Sequence, residues 1–145
     1  MAVLTGRCLC GAVRYEYEGA PPEVFHCHCE SCRRHTSSPI TTFLVNVEAA
    51  ALRFAATRPR EFQSSPGVWR SFCADCGSPV TYRSERHPGM VDIYVGTLTD
   101  PAAVRPTGHV HSGEQLPWFE TLDDLPRFHA SRVDVEPIRY GPQRI

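Results

Sequence analysis

The 145-residue sequence contains no lysine, so all fifteen of its positively charged side chains are arginine. Without a lysine amine, the chain has no side chain of the kind that forms Schiff bases with carbonyl substrates. The formal net charge is only −1, and a near-neutral chain lacks the electrostatic footprint of a general nucleic-acid binder. The composition therefore predicts that nucleic acid is not a partner.

Long apolar runs are also missing. No stretch approaches the roughly 20 apolar residues that a membrane-spanning helix needs, so we expect no membrane partner. The apolar run near the N-terminus is only Ala2-Val3-Leu4, which is too short for the apolar region of a signal peptide. We therefore expect a cytoplasmic protein.

Length and composition set the expected architecture. A chain of 145 residues corresponds to one domain of about 150 residues. We expect a single domain over residues 1–135, followed by an extended C-terminal tail at 136–145. Thirteen prolines and ten glycines keep the elements short and argue against long helices.

Alternating, β-branched or aromatic segments predict short strands along much of the chain. These segments are 13–18, 41–45, 52–54, 68–72, 80–83, 90–97, 109–111 and 132–135. Helical signals are limited to one or two turns over 29–36 and a short turn at 122–125. The expected fold class is all-β, with mostly antiparallel sheets of short strands and minor helical turns.

Cysteine is the most informative residue type. Seven cysteines are an odd number, so they cannot all pair in disulfides within one chain. In a reducing compartment thiols stay free or bind metal, and close grouping favours metal over redox-active dithiols. The groups are Cys8 with Cys10, Cys27 with Cys29 and Cys32, and Cys73 with Cys76.

Seven thiolates cannot fill two tetrahedral four-cysteine sites, which would need eight. A division into four and three predicts one closed structural site and one site with a position open for water or substrate. Cys27, Cys29 and Cys32 lie within six residues, so one compact loop can present all three sulfurs. The rival grouping joins Cys29 and Cys32 with Cys73 and Cys76, and it is less favoured because the other three then have no compact arrangement.

Zinc is the expected metal, at two ions per chain, because thiolate-rich tetrahedral sites suit it. Iron–sulfur clusters also use cysteine ligands, but the closely spaced Cys-X-Cys pairs fit them less well. Gly11 and Gly77 follow Cys10 and Cys76 directly. We expect these glycines to let the chain turn sharply, so that backbone N–H groups point at the thiolates.

Three motifs together resemble the glutathione-dependent formaldehyde-activating enzyme family, which also contains centromere protein V. The motifs are Gly6-Arg7-Cys8-Leu9-Cys10-Gly11, Cys27-His28-Cys29-Glu30-Ser31-Cys32-Arg33 and Phe72-Cys73-Ala74-Asp75-Cys76-Gly77-Ser78-Pro79. The resemblance continues through 96–98 and 116–119 and implies a zinc-stapled β fold of the β-tent type. It implies a structural zinc on Cys8, Cys10, Cys73 and Cys76, and a catalytic-type zinc on Cys27, Cys29 and Cys32.

The resemblance also implies an activity, the formation of S-hydroxymethylglutathione from glutathione and formaldehyde by a carbon–sulfur lyase. This chain departs from the family at one place. Many relatives carry a lysine shortly before the Pro-Trp pair, where this chain has Glu114 and Gln115. If that lysine contacts the substrate, the substrate here differs.

The charge of the three-cysteine site supports a thiol substrate. Three thiolates around a zinc ion leave a net charge of −1, which suits a soft thiol better than hydroxide, and metal binding lowers the pKa of a thiol. We therefore expect a small thiol such as glutathione, bound as thiolate, to attack an electrophilic carbon. The alternative is a non-catalytic zinc-stapled binding module for a protein or nucleic-acid partner, and a homodimer stays open.

Other polar residues give weaker signals. Arg33 directly follows Cys32, and His28 lies between two cysteines, so both are weak catalytic candidates, for offsetting charge and for proton transfer. His109 and His111 alternate on the strand predicted at 109–111, so we expect their rings on the same face. The Asp123-Asp124 pair is expected to serve a turn.

Overall fold

The computed structural model describes residues 1–131 of the chain. This part of the chain is mostly β, which confirms the predicted fold class. Its strands are β1 (Ala2–Arg7), β2 (Val13–Gly19), β3 (Glu23–Cys27), β4 (Thr41–Glu48), β5 (Leu52–Ala56), β6 (Arg60–Ser65), β7 (Val68–Phe72), β8 (Pro79–Ser84), β9 (Met90–Tyr94) and β10 (Gly108–Val110). The helix α1 spans Glu30–Thr36, and single 3₁₀ turns lie at Ala49–Ala51, Val95–Thr97, Pro101–Ala103 and Ser112–Glu114.

The chain divides into two compact units, which are described separately. Among the described residues, the first unit comprises Met1–Glu23 and Leu44–Val104, and the second comprises Val24–Phe43 and 105–131. The single domain over 1–135 stays a prediction, and both the strand predicted at 132–135 and the tail predicted at 136–145 lie outside the described residues. Within residues 1–131, no helix is long and apolar enough to cross a membrane.

A three-stranded antiparallel sheet in the order β1-β2-β5 belongs to the first unit. Every second residue of β2 is buried, which is the alternation that the sequence predicted. The buried face includes Val13, Tyr15 and Tyr17. The two phenols find partners, since the Tyr17 hydroxyl donates to the Ala20 carbonyl at 2.6 Å and the Tyr15 hydroxyl lies 2.7 Å from that of Thr97. The sheet therefore has a buried face without unpaired phenols.

The first unit also contains strands in the order β4-β9-β8-β7-β6. Leu44, Val47, Val80 and Ile93 have no exposed surface there, so this part of the interior is apolar. Burial of such side chains is the main source of folding free energy. The 3₁₀ turn at Val95–Thr97 ends the strand predicted over 90–97 at Tyr94.

Strands β10, β3 and the beginning of β4 lie side by side in the second unit, in that order. The β10–β3 pair is parallel and sets His109 opposite His26, which departs from the antiparallel pairing expected for most strands. Gly108 has to be glycine, because a Cβ there would lie 2.8 Å from the Phe25 ring. This close approach brings β10 against the strand that leads into Cys27.

Three strands were missed by the sequence patterns, namely β1, β3 and β6. Strand β6 is exposed at all six positions, so it has no apolar alternation that a pattern search could detect. The helix predicted over 29–36 is confirmed as α1, whereas the short helical turn predicted at 122–125 is absent in the structure. In that segment the Asp123 carboxylate accepts the N–H of Leu125 at 3.1 Å. This local side-chain contact with the backbone competes with a helical turn.

Candidate metal centres

The first unit brings together Cys8, Cys10, Cys73 and Cys76, the four-cysteine cluster, with all sulfur atoms within 4.8 Å of one another. The Sγ of Cys10 lies 3.6 Å from that of Cys8 and 3.7 Å from that of Cys73. Tetrahedral zinc with Zn–S bonds of about 2.3 Å separates neighbouring sulfurs by about 3.8 Å. The spacing of the sulfurs therefore fits a tetrahedral thiolate site.

Two tight turns hold these cysteines. Gly11 and Gly77 have φ angles of 81° and 76°, in the left-handed region that favours glycine. Beyond these turns, polar groups reach the sulfurs. The Val13 N–H donates to Cys8 Sγ at 3.3 Å, and the Ser78 hydroxyl lies 3.1 Å from Cys76 Sγ. Such contacts disperse thiolate charge and orient a metal ligand.

The four thiols compete for negative charge. The Ser78 hydroxyl and backbone N–H groups lower the pKa of Cys76 to about 5. The Ala12 N–H acts to lower the pKa of Cys10, but the neighbouring thiols, Cys8 above all, raise it to about 12. A divalent cation relieves this competition because it favours the thiolate form of every ligand.

The second unit brings together Cys27, Cys29 and Cys32, the three-cysteine cluster, again with sulfurs within 4.8 Å of one another. Cys27 ends β3, and Cys29 is the N-cap of α1, where its Sγ accepts the Cys32 N–H at 3.3 Å. The Cys27 and Cys32 sulfurs lie 3.7 Å apart. Among residues 1–131, no fourth Cys, His, Asp or Glu donor joins this cluster.

Contacts within the three-cysteine cluster shift the pKa values of its thiols in opposite directions. The contacts with Cys27 and Cys32 lower the pKa of Cys29 to about 2, whereas the contact with Cys29 raises the pKa of Cys27 well above its usual value. Three sulfurs at this spacing can all be thiolates only beside a cation. Both clusters could therefore hold a metal ion, and their donor sets suit zinc.

His28 lies between two cysteines of this cluster but its ring is turned into the interior. It has no exposed surface, and its Nε2 lies 2.8 Å from Nδ1 of His109. The Nε2 of His109 lies 2.9 Å from the Asp123 carboxylate. Burial, followed by the proximity of His109, lowers the pKa of His28 to about 3 and that of His26 to about 4. The fully buried His28 ring and the half-buried His26 ring are therefore neutral near pH 7.

Arg33 braces the backbone near the three-cysteine cluster. Its Nη1 donates to the carbonyl of His28 and, at 2.6 Å, to the carbonyl of Glu114. Its neighbour Arg34 instead forms an exposed pair with Glu30 at 2.9 Å. The catalytic roles expected for Arg33 and His28 stay predictions.

His109 and His111 do not share a face, so that prediction was wrong. Strand β10 ends at Val110, and His111 adopts a left-handed conformation with φ of 53°, so strand alternation no longer applies to it. His109 is fully buried. The partly exposed ring of His111 places Nδ1 3.5 Å from the Glu114 carboxylate.

Two acidic residues near these histidines carry contacts that the sequence did not indicate. The Glu114 carboxylate accepts the N–H of Glu30 at 3.1 Å, at the place where the family lysine was expected. Asp123 has the expected turn contact with Leu125 and, in addition, binds His109. Asp123 and His109 are 14 residues apart, and no periodic pattern links the two positions. Local sequence patterns therefore do not predict this contact.

Comparisons with known proteins agree with the cysteine motifs. A model of the family described as "Glutathione-dependent formaldehyde-activating enzyme" matches residues 3–114. The chain is 27% identical over 92 residues to an "Uncharacterized lyase" of Schizosaccharomyces pombe, covering 62% of this chain and 66% of the relative. The match thus spans just under two thirds of that relative's length.

One solved structure with a similar fold is a crystal structure of a Rhodobacter sphaeroides protein. The TM-score is 0.54 at 24% sequence identity, and the match covers 70% of this chain and 91% of the other. At this identity the likeness concerns the fold alone.

Proposed function

The chain belongs to the glutathione-dependent formaldehyde-activating enzyme family, and from this premise we propose that it is a zinc-dependent carbon–sulfur lyase acting on a small thiol adduct. The family match covers all seven cysteines and agrees with the resemblance stated from the sequence. The relative from Schizosaccharomyces pombe is named a lyase, which supports the class of reaction. The proposed reaction joins glutathione and formaldehyde to give S-hydroxymethylglutathione, or cleaves that adduct.

We assign two zinc ions per chain. The four-cysteine cluster would hold a structural ion, because its four sulfurs complete a tetrahedral ligand set. The three-cysteine cluster would hold a catalytic-type ion. The sulfur spacings of 3.6–3.7 Å in the two clusters support both assignments.

The number of donors in the three-cysteine cluster is the observation that carries the proposal. Three sulfurs lie within 4.8 Å of one another, and residues 1–131 supply no fourth donor to them. When bound there, zinc supplies an open coordination position that stabilises a thiol in its deprotonated form. Three thiolates outweigh the two charges of the ion, so this position favours a soft thiol over hydroxide.

The proposed reaction balances without a further reactant. The glutathione thiol loses its proton, and its sulfur attacks the carbonyl carbon of formaldehyde. A carbon–sulfur bond forms while the carbonyl π bond opens, and the oxygen takes up a proton to become the hydroxyl of the adduct. Cleavage reverses these steps, so one site serves both directions.

Residues of the second unit would orient the reacting thiol. Arg33 holds the carbonyl of His28 and thereby the loop between Cys27 and Cys29, and a fixed loop keeps the reactants aligned. Its positive charge also offsets part of the negative charge of the cluster. We place this activity in the cytoplasm, where glutathione keeps thiols reduced.

Cobalt substitution tests the proposal directly. Co²⁺ takes the place of zinc in thiolate sites and gives absorption bands that report its ligands. Adding glutathione should change the bands of one of two bound ions, whereas S-methylglutathione, whose sulfur is blocked, should not. A spectrum insensitive to glutathione, together with unchanged rates of adduct formation and cleavage when enzyme is added, would falsify the proposed function.

A further inference from the structure

Three hydrogen-bonded side chains, the Asp123–His109–His28 relay, lie in the second unit, where both rings are fully buried and the carboxylate is 33% exposed. The two carboxylate oxygens of Asp123 lie 2.9 and 3.0 Å from His109 Nε2. On the other side of the ring, His109 Nδ1 lies 2.8 Å from His28 Nε2. The two imidazole rings are stacked at 5.0 Å, and neither side chain has exposed surface.

The partners in this relay determine where each proton lies. An ionised carboxylate only accepts hydrogen bonds, so Nε2 of His109 carries a hydrogen and donates it to Asp123. A neutral imidazole has only one N–H, which leaves Nδ1 of His109 as an acceptor. The Nε2 of His28 must then carry the hydrogen that His109 accepts. Both rings are consequently Nε2–H tautomers.

Residue 28 is held at three points. Its ring is bound to His109, its N–H donates to the Val110 carbonyl at 3.2 Å, and its carbonyl accepts from Arg33 Nη1. The adjacent residues on each side are Cys27 and Cys29. The peptide groups on either side of His28 set the direction of these two sulfurs. The hydrogen bonds made by the ring, the N–H and the carbonyl of His28 therefore oppose rotation of these peptide groups.

A buried positive charge lies beside the Asp123 end of this relay. Arg127 has no exposed surface, and its Nη2 donates to Thr121 and lies 3.5 Å from the Asp123 carboxylate. A nearby positive charge and hydrogen bonds favour the ionised form of a partly buried carboxylate. Arg127 therefore helps to keep Asp123 ionised. Only an ionised Asp123 requires the hydrogen of His109 to be on Nε2.

We propose that Asp123 and His109 are positioning residues that fix the tautomer and orientation of His28, and through it the Cys27–Cys29 part of the three-cysteine cluster. This inference rests on the proposed function in one respect, namely that the cluster holds the metal. Hydrogen bonds from groups that do not touch the metal commonly orient a metal ligand through the ligand's own side chain. Here the hydrogen bonds from Asp123 and His109 would act through His28, which is not itself a ligand but lies between two ligands.

The native protein gives the first test. Long-range ¹H–¹⁵N NMR of the histidine rings in the zinc-loaded protein distinguishes the two nitrogens of each ring. We expect Nε2–H tautomers for both His28 and His109. A hydrogen on Nδ1 of either ring would reverse the relay and overturn the proposal.

Asp123→Asn gives the second test, because its amide presents a donor as well as an acceptor to His109 and removes the bias of the carboxylate. Asp124→Asn is the matched control, since this neighbouring carboxylate is exposed. With cadmium in place of zinc, ¹¹³Cd NMR resolves a three-sulfur from a four-sulfur site. Outer hydrogen-bonding partners typically change metal affinity by about 10–100-fold.

In Asp123→Asn we expect at least about tenfold weaker retention of cadmium by the three-cysteine cluster against a chelator, with a changed tautomer signal of His28. The four-cysteine cluster in the same molecule, and both clusters of Asp124→Asn, should retain cadmium as in the native chain. Equal loss at both clusters of Asp123→Asn would indicate general destabilisation and overturn the relay. Unchanged retention would overturn it as well.

These outcomes separate the relay from the proposed function. If the native cluster holds its metal and Asp123→Asn weakens it, but glutathione leaves the metal spectrum unchanged, the relay stands and the lyase proposal fails. If glutathione changes the spectrum and Asp123→Asn retains cadmium normally, the lyase proposal stands and the relay fails.

Discussion

The two units of this protein differ in what they bury. In the first unit the largest fully buried side chains include Tyr17, Leu44 and Ile93, whereas in the second they are Arg127, His28 and His109. Arg70, the buried arginine of the first unit, has Ser64 and Tyr94 as partners. All four buried side-chain atoms without a partner among the described residues lie in the second unit, on His28, Gln115 and Arg127.

The cysteine clusters follow the same division. The first unit has four sulfurs, which suffice for a closed site, and an apolar interior that stabilises it. The second has three sulfurs and fully buried polar side chains. Burying a polar group costs stability unless it is hydrogen-bonded, so the second unit carries a cost that the apolar side chains of the first unit do not.

The largest expected effect comes from opening the closed cluster. Cys73→Ser removes a sulfur that is almost completely buried and that we assign to the structural zinc. We expect a loss of at least about 4 kcal/mol in the free energy of unfolding and a fall of about 10 °C in the melting temperature. Circular dichroism melts of the zinc-loaded protein measure it. A native-like melt would remove the basis for calling this cluster structural.

Cys29→Ser should show the opposite pattern. It removes a sulfur of the cluster that is already one donor short, so we expect turnover of S-hydroxymethylglutathione to fall at least about 100-fold, with a melting temperature close to native. Initial rates corrected for the uncatalysed reaction measure the first effect. Full turnover with this variant would contradict the assignment of the reaction to the second unit.

Acid should affect the second unit before the first. Burial lowers the pKa of His26 to about 4 and that of His28 to about 3, compared with about 6.5 in an unfolded chain. Between these values the unfolded chain binds protons that the folded unit does not. The stability contribution is therefore complete above about pH 6.5 and is lost as the pH falls toward 4.

Backbone NMR signals followed through an acid titration measure this difference unit by unit. The first unit is the internal control. Protonation of thiolates affects the cysteine clusters of both units, but the histidine of the first unit, His87, is exposed. Simultaneous loss of the signals from both units would show that the buried histidines do not set the acid stability of the second unit.

The smallest expected effects come from two neighbouring arginines of the second unit, one that binds backbone carbonyls and one that forms an exposed ion pair. Arg33→Ala removes two hydrogen bonds to carbonyls, and we expect a loss of about 1–3 kcal/mol. Arg34→Ala removes an ion pair whose partners are 78% and 59% exposed, and we expect less than about 0.5 kcal/mol. Urea denaturation of the two variants compares them, and equal losses would argue against the bracing role of Arg33.

Much of the β structure followed from local patterns. The alternation in β2 and the apolar segment of β9 were visible in the sequence because one or both faces of these strands are buried. Strand β6 gave no such signal because it is exposed throughout. The end of β10 was misjudged by one residue, and for that reason the predicted face of His111 was wrong.

The sequence by itself determined the grouping of Cys27, Cys29 and Cys32, and the turns at Gly11 and Gly77. Residues only a few positions apart stay close in almost any fold, so their spacing is informative. The tertiary structure alone decided that His28 meets His109, 81 positions away, and that His109 meets Asp123. Such contacts depend on which strands pair and in which register, and that choice is made by the packing of the whole chain.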